Sequence, residues 1–320
     1  MMKTYMNSNI TVTALLKSVN VHNGKKMMTL RVKYPRIIHA EKLKHSQLKC
    51  NTSSSRAIPV KQNNQYILSD VAMPVRFGKN QSGMQDCGEL DNPVVIDGKS
   101  YTPQQAWEYA AGLMCKVSDA FADAGYHKQV CNRLTEPFQY TEAVFSGSEW
   151  ANFFWLRCDQ DADPTIKVLA DLCFQAYADD DDWQLLSHGQ WHLPYVDCKF
   201  IDGEQVFYQE DKQLTLQEAK LISMSTCAQA SYRKEDNSLE KALVVEGRLF
   251  SGKKVHASPS EHQAMAFNMF SDAFDGTGIT HHNKQGDLCS GNLVGWVQFR
   301  QLINNNVQND IDLVIDEVMK

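Results

Sequence analysis

The chain has 320 residues, enough to bury one large core or two modest ones. Its 43% apolar and 22% charged residues, with unremarkable Gly and Pro, exclude the collagen-like, disordered and disulfide-scaffold classes. A formal net charge of −6 argues against a general nucleic-acid binder, while leaving room for a small anionic substrate held by a few local arginines. No run approaches the roughly 20 apolar residues of a membrane helix, and "MMKTYMNSNITVTALLK" lacks the apolar core of a secretory leader. A cytoplasmic protein that binds no membrane is the expectation. The nine cysteines form no CxxC pair, and Cys115, Cys131, Cys158 and Cys173 sit in apolar, helix-like contexts that suit reduced core thiols.

Along the chain, Met28, Leu30, Val32 and Tyr34 alternate with Thr29, Arg31 and Lys33, which predicts a half-buried strand over 28–34. Pro35 ends it, and 36–45 has helical composition. Residues 61–101 are polar and rich in Gly, Asn and Asp, and read as loops or an insertion. Thr102, Pro103 and Gln105 form a cap, first-turn proline and capping-box partner that open a long helix broken at Gly125. A second helix carries His127 and Arg133 and stops at Pro137. Residues 149–178 are helical with an interruption near Pro164. Asp179–Asp182 reads as a solvated loop. Thr215 with Glu218 caps a helix through "LQEAKLISMSTCAQASY", and Ser258, Pro259 and Glu261 repeat a cap signature before "HQAMAFNMF". The order is that of an α+β chain in which helices dominate: one domain over 1–320, with insertions at 61–101 and 178–214.

Several stretches bear on chemistry. "HGQWH" gives His188 and His192 the i,i+4 spacing of metal ligands. It has no intervening Glu, its Gly and the nearby Pro194 oppose a helix, and no third ligand is evident, so a loop or core role is the better reading and no metal is expected. "KHSQLKCNTSSSRAIPV", residues 44–60, crowds hydroxyls and one arginine behind an apolar run. It reads equally as a cluster of caps and turns or as an anion socket in which hydroxyls, turn N–H groups and the Arg56 guanidinium converge. Arg133 in "VCNRL" and Arg157 in "NFFWLR" sit among apolar residues, a setting that calls for an anionic partner in the protein or in a ligand.

Five separated blocks together resemble the flavin-dependent thymidylate synthases, in the circularly permuted order of phage-type members. "AQASY" (228–232) and "HASPSEH" (256–262), which match blocks that open the ordinary family sequence, come last here. "TLRVKYPRIIHAEKLKHSQLKCNTSSSRAIPV" comes first, with "KQVCNRLTEPF" and "EWANFFWLRCDQDADPTI" between. The match covers roughly half the chain. The resemblance implies an α/β (α+β) fold with a mixed β-sheet flanked by helices, and a homotetramer whose active sites are shared between subunits. The implied reaction is reductive methylation of dUMP to dTMP, with FAD, NADPH and 5,10-methylenetetrahydrofolate, in the host cytoplasm for a viral protein. Carried over residue by residue, Ser54 and Arg56 would hold the nucleotide phosphate, Glu41 and Arg133 would contact the nucleotide, and Arg157 would bind and polarise the uracil ring. Ser54 and Arg157 are thereby the residues assigned to catalysis. Lys44, His45, Asn51, Asn152, Ser231, His256, Ser258 and Glu261 match flavin-side positions.

The departures from the family pattern cluster in one segment. Ser46 stands where phage-type members carry an arginine, Lys49 where they carry a serine, and Cys50 where they carry another arginine. Thr52 replaces the ordinary family's glutamate, and Ser260 a phenylalanine. These changes keep two alternatives in view: a related flavoenzyme that leaves a different group on the pyrimidine, such as hydroxymethyl, and a non-catalytic binder of flavin or nucleotide.

Overall fold

The computed structural model describes residues 2–230, 235–250, 254–268 and 278–319. The chain packs as two compact units. The first comprises residues 1–17, 28–183 and 229–235, and the second 18–27, 184–228 and 236–320.

The first unit is a sheet flanked by helices. Its strands are β1 (Thr4–Asn7), β2 (Ile10–Asn20), β3 (Lys26–Pro35), β4 (Lys49–Thr52) and β7 (Tyr140–Gly147), in the spatial order β1-β2-β3-β7-β4. A hairpin of β5 (Val94–Ile96) and β6 (Lys99–Tyr101) stands apart from it. The β3 alternation is as the sequence predicts: Met28, Leu30, Val32 and Tyr34 are buried, whereas Arg31 and Lys33 are half-buried on the other face. The buried face packs on α6 (Pro164–Ala178) through Ile166, Leu169 and Cys173, and on Phe153 of α5 (Ala151–Arg157). Burying each of these large side chains contributes about 1.5–3 kcal/mol, which makes this layer the main stabilising contact of the unit.

Helix signals were read accurately where capping chemistry marked them. Thr102 and Gln105 form the reciprocal capping box of α3 (Pro103–Asp123), and Gly125 takes the positive φ of +88° that ends it. Asp163 caps α6, with Pro164 in the first turn. The Thr215–Glu218 box opens the helix Leu216–Gln229 of the second unit.

Four expectations are corrected. Residues 61–101 are not all loop, because Val60–Ser69 forms α2. Its inward stripe is Val60, Asn63, Asn64 and Ile67, a helical spacing whose middle members are polar. Asn64 donates to the Cys115 carbonyl and to Asp119, which lets an amide occupy a core position. The segment after Ser258 is a strand, Ala264–Ala266, because its alanines fit between Trp191–His192 and Trp296–Gln298 in the second unit. Asp179 is not merely a solvated loop residue: Lys3 and Tyr5 both donate to its carboxylate. Those bonds hold its pKa well below the usual carboxylate range, while burial and the carboxylate push Tyr5 up to about 12. The strand content is also larger than expected, since β2 and β7 add long strands in stretches where no strand was expected.

His192 lies fully buried in the second unit, with Nδ1 at 2.8 Å from Ser18 Oγ. This is the core role anticipated for "HGQWH". Burial pulls its pKa down to about 3, and burial together with Arg36 pulls His39 of the first unit down to about 4. Both histidines are therefore neutral when folded and protonate near pH 6.5 when unfolded. Their contribution is complete above about pH 6.5 and is lost as pH falls toward the folded values. At pH 5 unfolding should take up about two protons on their account, measured as the pH slope of stability in urea melts. His39→Asn should lower that uptake by about one.

Candidate functional site

In the hydroxyl-rich loop two serines serve the loop's own structure and the one between them stays partly exposed. Ser53 and Ser55 turn inward. Ser53 N–H donates to the Glu142 carbonyl at 2.7 Å and its Oγ accepts from Glu142 N–H at 3.1 Å, continuing the pairing of β4 with β7. Ser55 Oγ donates to Glu136 Oε1 at 2.6 Å, and Glu136 in turn pairs with Arg36 at 3.2 Å. The loop is then clamped from above. Asn132 Nδ2 donates to the carbonyls of Ser55 (2.6 Å) and Ile58 (2.9 Å), and Lys128 Nζ donates to that of Ala57 at 3.0 Å. Ser54, between the two inward serines, is half-exposed, and its Oγ accepts only the Arg56 N–H.

The clamp joins two segments that each carry an exposed arginine. Arg56 projects from the loop, and Arg133 follows directly on Asn132 in the 3-10 turn Asn132–Phe138. Both side chains are exposed, and neither guanidinium has a protein partner among the described residues. The apolar neighbours of Arg133 call for an anionic partner in the protein or in a ligand, and the described residues supply none. Its exposure removes the need for an internal one.

Arg157 is held differently. At the C-terminal end of α5 its Nε donates to His45 Nε2 at 2.9 Å, and one terminal nitrogen lies 3.4 Å from Glu41 Oε2. Glu41 belongs to the short helix α1 (His39–Leu43), and His45 lies just beyond it. The His45 ring is buried edge-on against Phe153 at 5.0 Å. Burial, then the Arg157 and Lys42 charges, push its pKa down. A neutral imidazole accepting at Nε2 carries its proton on Nδ1. The second terminal nitrogen of Arg157 has no partner among the described residues, so the guanidinium is oriented by two groups and keeps one donor edge available.

The remaining assigned residues are dispersed. Lys44 and Asn152 are exposed. Asn51 is half-buried on β4 opposite Val144, on the sheet face away from Cys50, and its amide has no partner among the described residues. None of these three side chains has a protein partner among the described residues. In the second unit His256 and Ser258 are exposed, while Glu261 is buried and pairs with Arg300 at 2.8 Å. Ser231 lies outside the described residues.

Two residues that sequence reasoning passed over are central. Asn132 is the clamp, and nothing in "VCNRL" marks it beyond its place beside Arg133. Lys42 is almost fully buried, donates to the Leu48 carbonyl at 2.8 Å and sits 4.2 Å over the Phe145 ring, with burial lowering its pKa. Its signal was positional, since Lys42 is one helical turn from buried Ile38.

No protein-family model matches the chain, and no curated protein matches it. Among solved structures, it is similar to a UMP/dUMP methylase, PolB, from Streptomyces cacaoi bound with 5-Br UMP. The identity is 14%, over 54% of this chain and 90% of that one, with a TM-score of 0.37. The same methylase bound with 5-Br dUMP matches at 15% identity over 48% and 67% of the two chains, TM-score 0.35. Thymidylate Synthase X from Helicobacter pylori with FAD and dUMP matches at 15% identity over 47% and 67%, TM-score 0.32. Each of these matches covers about half of this chain. No described helix is long and apolar enough to cross a membrane.

The clamp makes a direct prediction. Asn132→Ala removes two buried donors from backbone carbonyls and should cost about 2–3 kcal/mol in urea denaturation. Amide hydrogen exchange over 54–58 should speed up, with β7 little changed. Unaltered exchange in the loop would show that the clamp is not what orders it.

Proposed function

We propose that the protein is a flavin-dependent enzyme that methylates dUMP to dTMP, using FAD, NADPH and 5,10-methylenetetrahydrofolate. In this reading the fold is a circular permutation of the family fold, assembled as a homotetramer with shared sites. The observation that carries the proposal is the pair of unpartnered guanidiniums, Arg56 and Arg133, displayed from segments that the Asn132 amide joins. They stand at positions where the five sequence blocks call for nucleotide contacts.

The residues then have distinct tasks. Arg56 and the Ser54 hydroxyl donate to the nucleotide phosphate, where charge-assisted bonds are strongest. Arg157, oriented by His45 and Glu41, directs its remaining donor edge to a uracil carbonyl and stabilises negative charge developing there. Neutral His45 accepts from Arg157 without competing for the anion. Lys44, Asn51 and Asn152 hold the flavin, which when bound supplies the hydride. No protein nucleophile is required, and the chain's contribution is orientation and electrostatics.

A second reading, modification of a pyrimidine nucleotide with a different one-carbon product, draws on the departures near Ser46. Ser46 is exposed and brings no charge, and Cys50 lies on the core face of β4.

Arg56→Ala should weaken dUMP binding about tenfold to a hundredfold, the loss of roughly 1.5–3 kcal/mol. FAD affinity, read by quenching of flavin fluorescence, should hardly change. Calorimetry on Arg56→Ala, Arg133→Ala and Arg157→Ala decides the assignment, and dUMP affinity indifferent to all three would end it. Ser46→Arg should raise thymidylate formation in single-turnover assays. A product of another mass, abolished by Lys49→Ala, would favour the second reading.

A further inference from the structure

At the end of α1 and in the turn that follows it, every third residue faces inward. Lys42, His45 and Leu48 are 1%, 8% and 3% exposed, while Leu43, Lys44, Ser46 and Gln47 are exposed. The backbone links the three in series. His45 N–H donates to the Lys42 carbonyl at 3.0 Å, and Leu48 N–H donates to the His45 carbonyl at 3.1 Å. Lys42 Nζ then reaches across and donates to the Leu48 carbonyl at 2.8 Å. The lysine side chain thus closes the turn end to end, with His45 held in the middle.

Packing alone does not call for a lysine here. Its ammonium lies 4.2 Å over the Phe145 ring of β7 and beside the Cys50 thiol of β4, and no carboxylate pairs with it among the described residues. A buried ammonium without a counter-charge costs stability, and an apolar side chain of similar length would cover Phe145 as well. What the lysine adds is a donor for the Leu48 carbonyl and a positive charge near His45. Burial first, and then the charges of Arg157 from α5 and of Lys42, disfavour protonation of the His45 ring. His45 Nε2 accepts from Arg157 Nε at 2.9 Å, which only a neutral imidazole can do. Glu41, the residue before Lys42, engages the same guanidinium at 3.4 Å.

We propose that Lys42 is a positioning residue for Arg157: by clasping the turn it fixes the His45 ring, and the ring together with Glu41 fixes the guanidinium. This rests on the reading of Arg157 as the group that meets the pyrimidine, yet the geometry belongs to the ligand-free chain. Lys42 itself touches neither nucleotide nor flavin. Its charge has a second effect, which is to keep the His45 acceptor neutral further into acid.

NMR of the arginine Nε–H and histidine ring signals, on the full chain without ligand, reads this directly. The Arg157 Nε–H should be protected from solvent exchange and lose that protection only where His45 protonates. Removing the ammonium lets His45 protonate more readily, so in Lys42→Met the loss should come at a higher pH. Exchange at neutral pH should be about threefold to tenfold faster there, the size of one weakened hydrogen bond. Should Lys42→Met fold poorly, Lys42→Gln, which drops the charge, should move the loss in the same direction. Leu48→Ala trims the packing of the same turn but keeps ammonium and carbonyl. It should lower the melting temperature and leave that pH unchanged. An Arg157 Nε–H indifferent to both Lys42 substitutions, or one moved equally by Leu48→Ala, would overturn the proposal. Nucleotide plays no part in the measurement, so absent dUMP binding would bear on the nucleotide reading alone.

Discussion

The Thr135 hydroxyl fixes the orientation of its surroundings. It has one proton and gives it to the Asn132 carbonyl, so everything else that reaches it must donate. Asn63 and Gln139 accordingly present their nitrogens to it. Asn132, held in place by the same bond, directs its own nitrogen to the loop that bears Ser54 and Arg56. Burial makes the arrangement stringent, because a misturned amide here would leave both ends unsatisfied away from water. The network thereby ties α2 to the cationic loop.

Four guanidiniums of the first unit, those of Arg36, Arg56, Arg133 and Arg157, are told apart by their partners. Arg157, 20% exposed at its side chain, has Glu41 as a counter-charge and His45 as a directing acceptor. Arg56 and Arg133 stand in solvent, where an unpaired cation costs little and remains available to an anion. Arg36, though only about 21% exposed, is tied to Glu136 and serves the loop's anchorage. Arginines separated in sequence thus divide into a structural one, an oriented one and two free ones, and only their surroundings distinguish them.

The sequence revealed those features whose cause is local. The capping box at Thr102, the glycine stop at Gly125, the interruption near Pro164 and the β3 alternation each depend on a few adjacent residues, and each appears in the fold. Features with a distant cause were not legible. The inward stripe of α2 contains Asn63 and Asn64, polar letters whose amide nitrogens are taken up inside the unit by Thr135, Cys115 and Asp119. Ala264–Ala266 is a strand because two other strands flank it, against the helical bias of its alanines. At the site, the block match singled out Glu41, His45 and Arg157, which the fold does bring together, and Ser54 with Arg56, which it displays. It gave no sign of Asn132 or Lys42, whose importance lies in what they bond rather than in what surrounds them in sequence.

The strand order has a consequence for synthesis. In the first unit β4 pairs with β7 and with no other strand of that sheet, yet about ninety residues separate the two in the chain. While the nascent chain grows, Lys49–Thr52 and the serine loop behind it emerge early and wait without a partner. Asn132 arrives shortly before β7, so clamp and strand reach the loop almost together. Closing so long a segment is entropically slow. The serine loop is therefore among the last parts of the unit to be set, and folding of the unit commits only after Gly147 has been made.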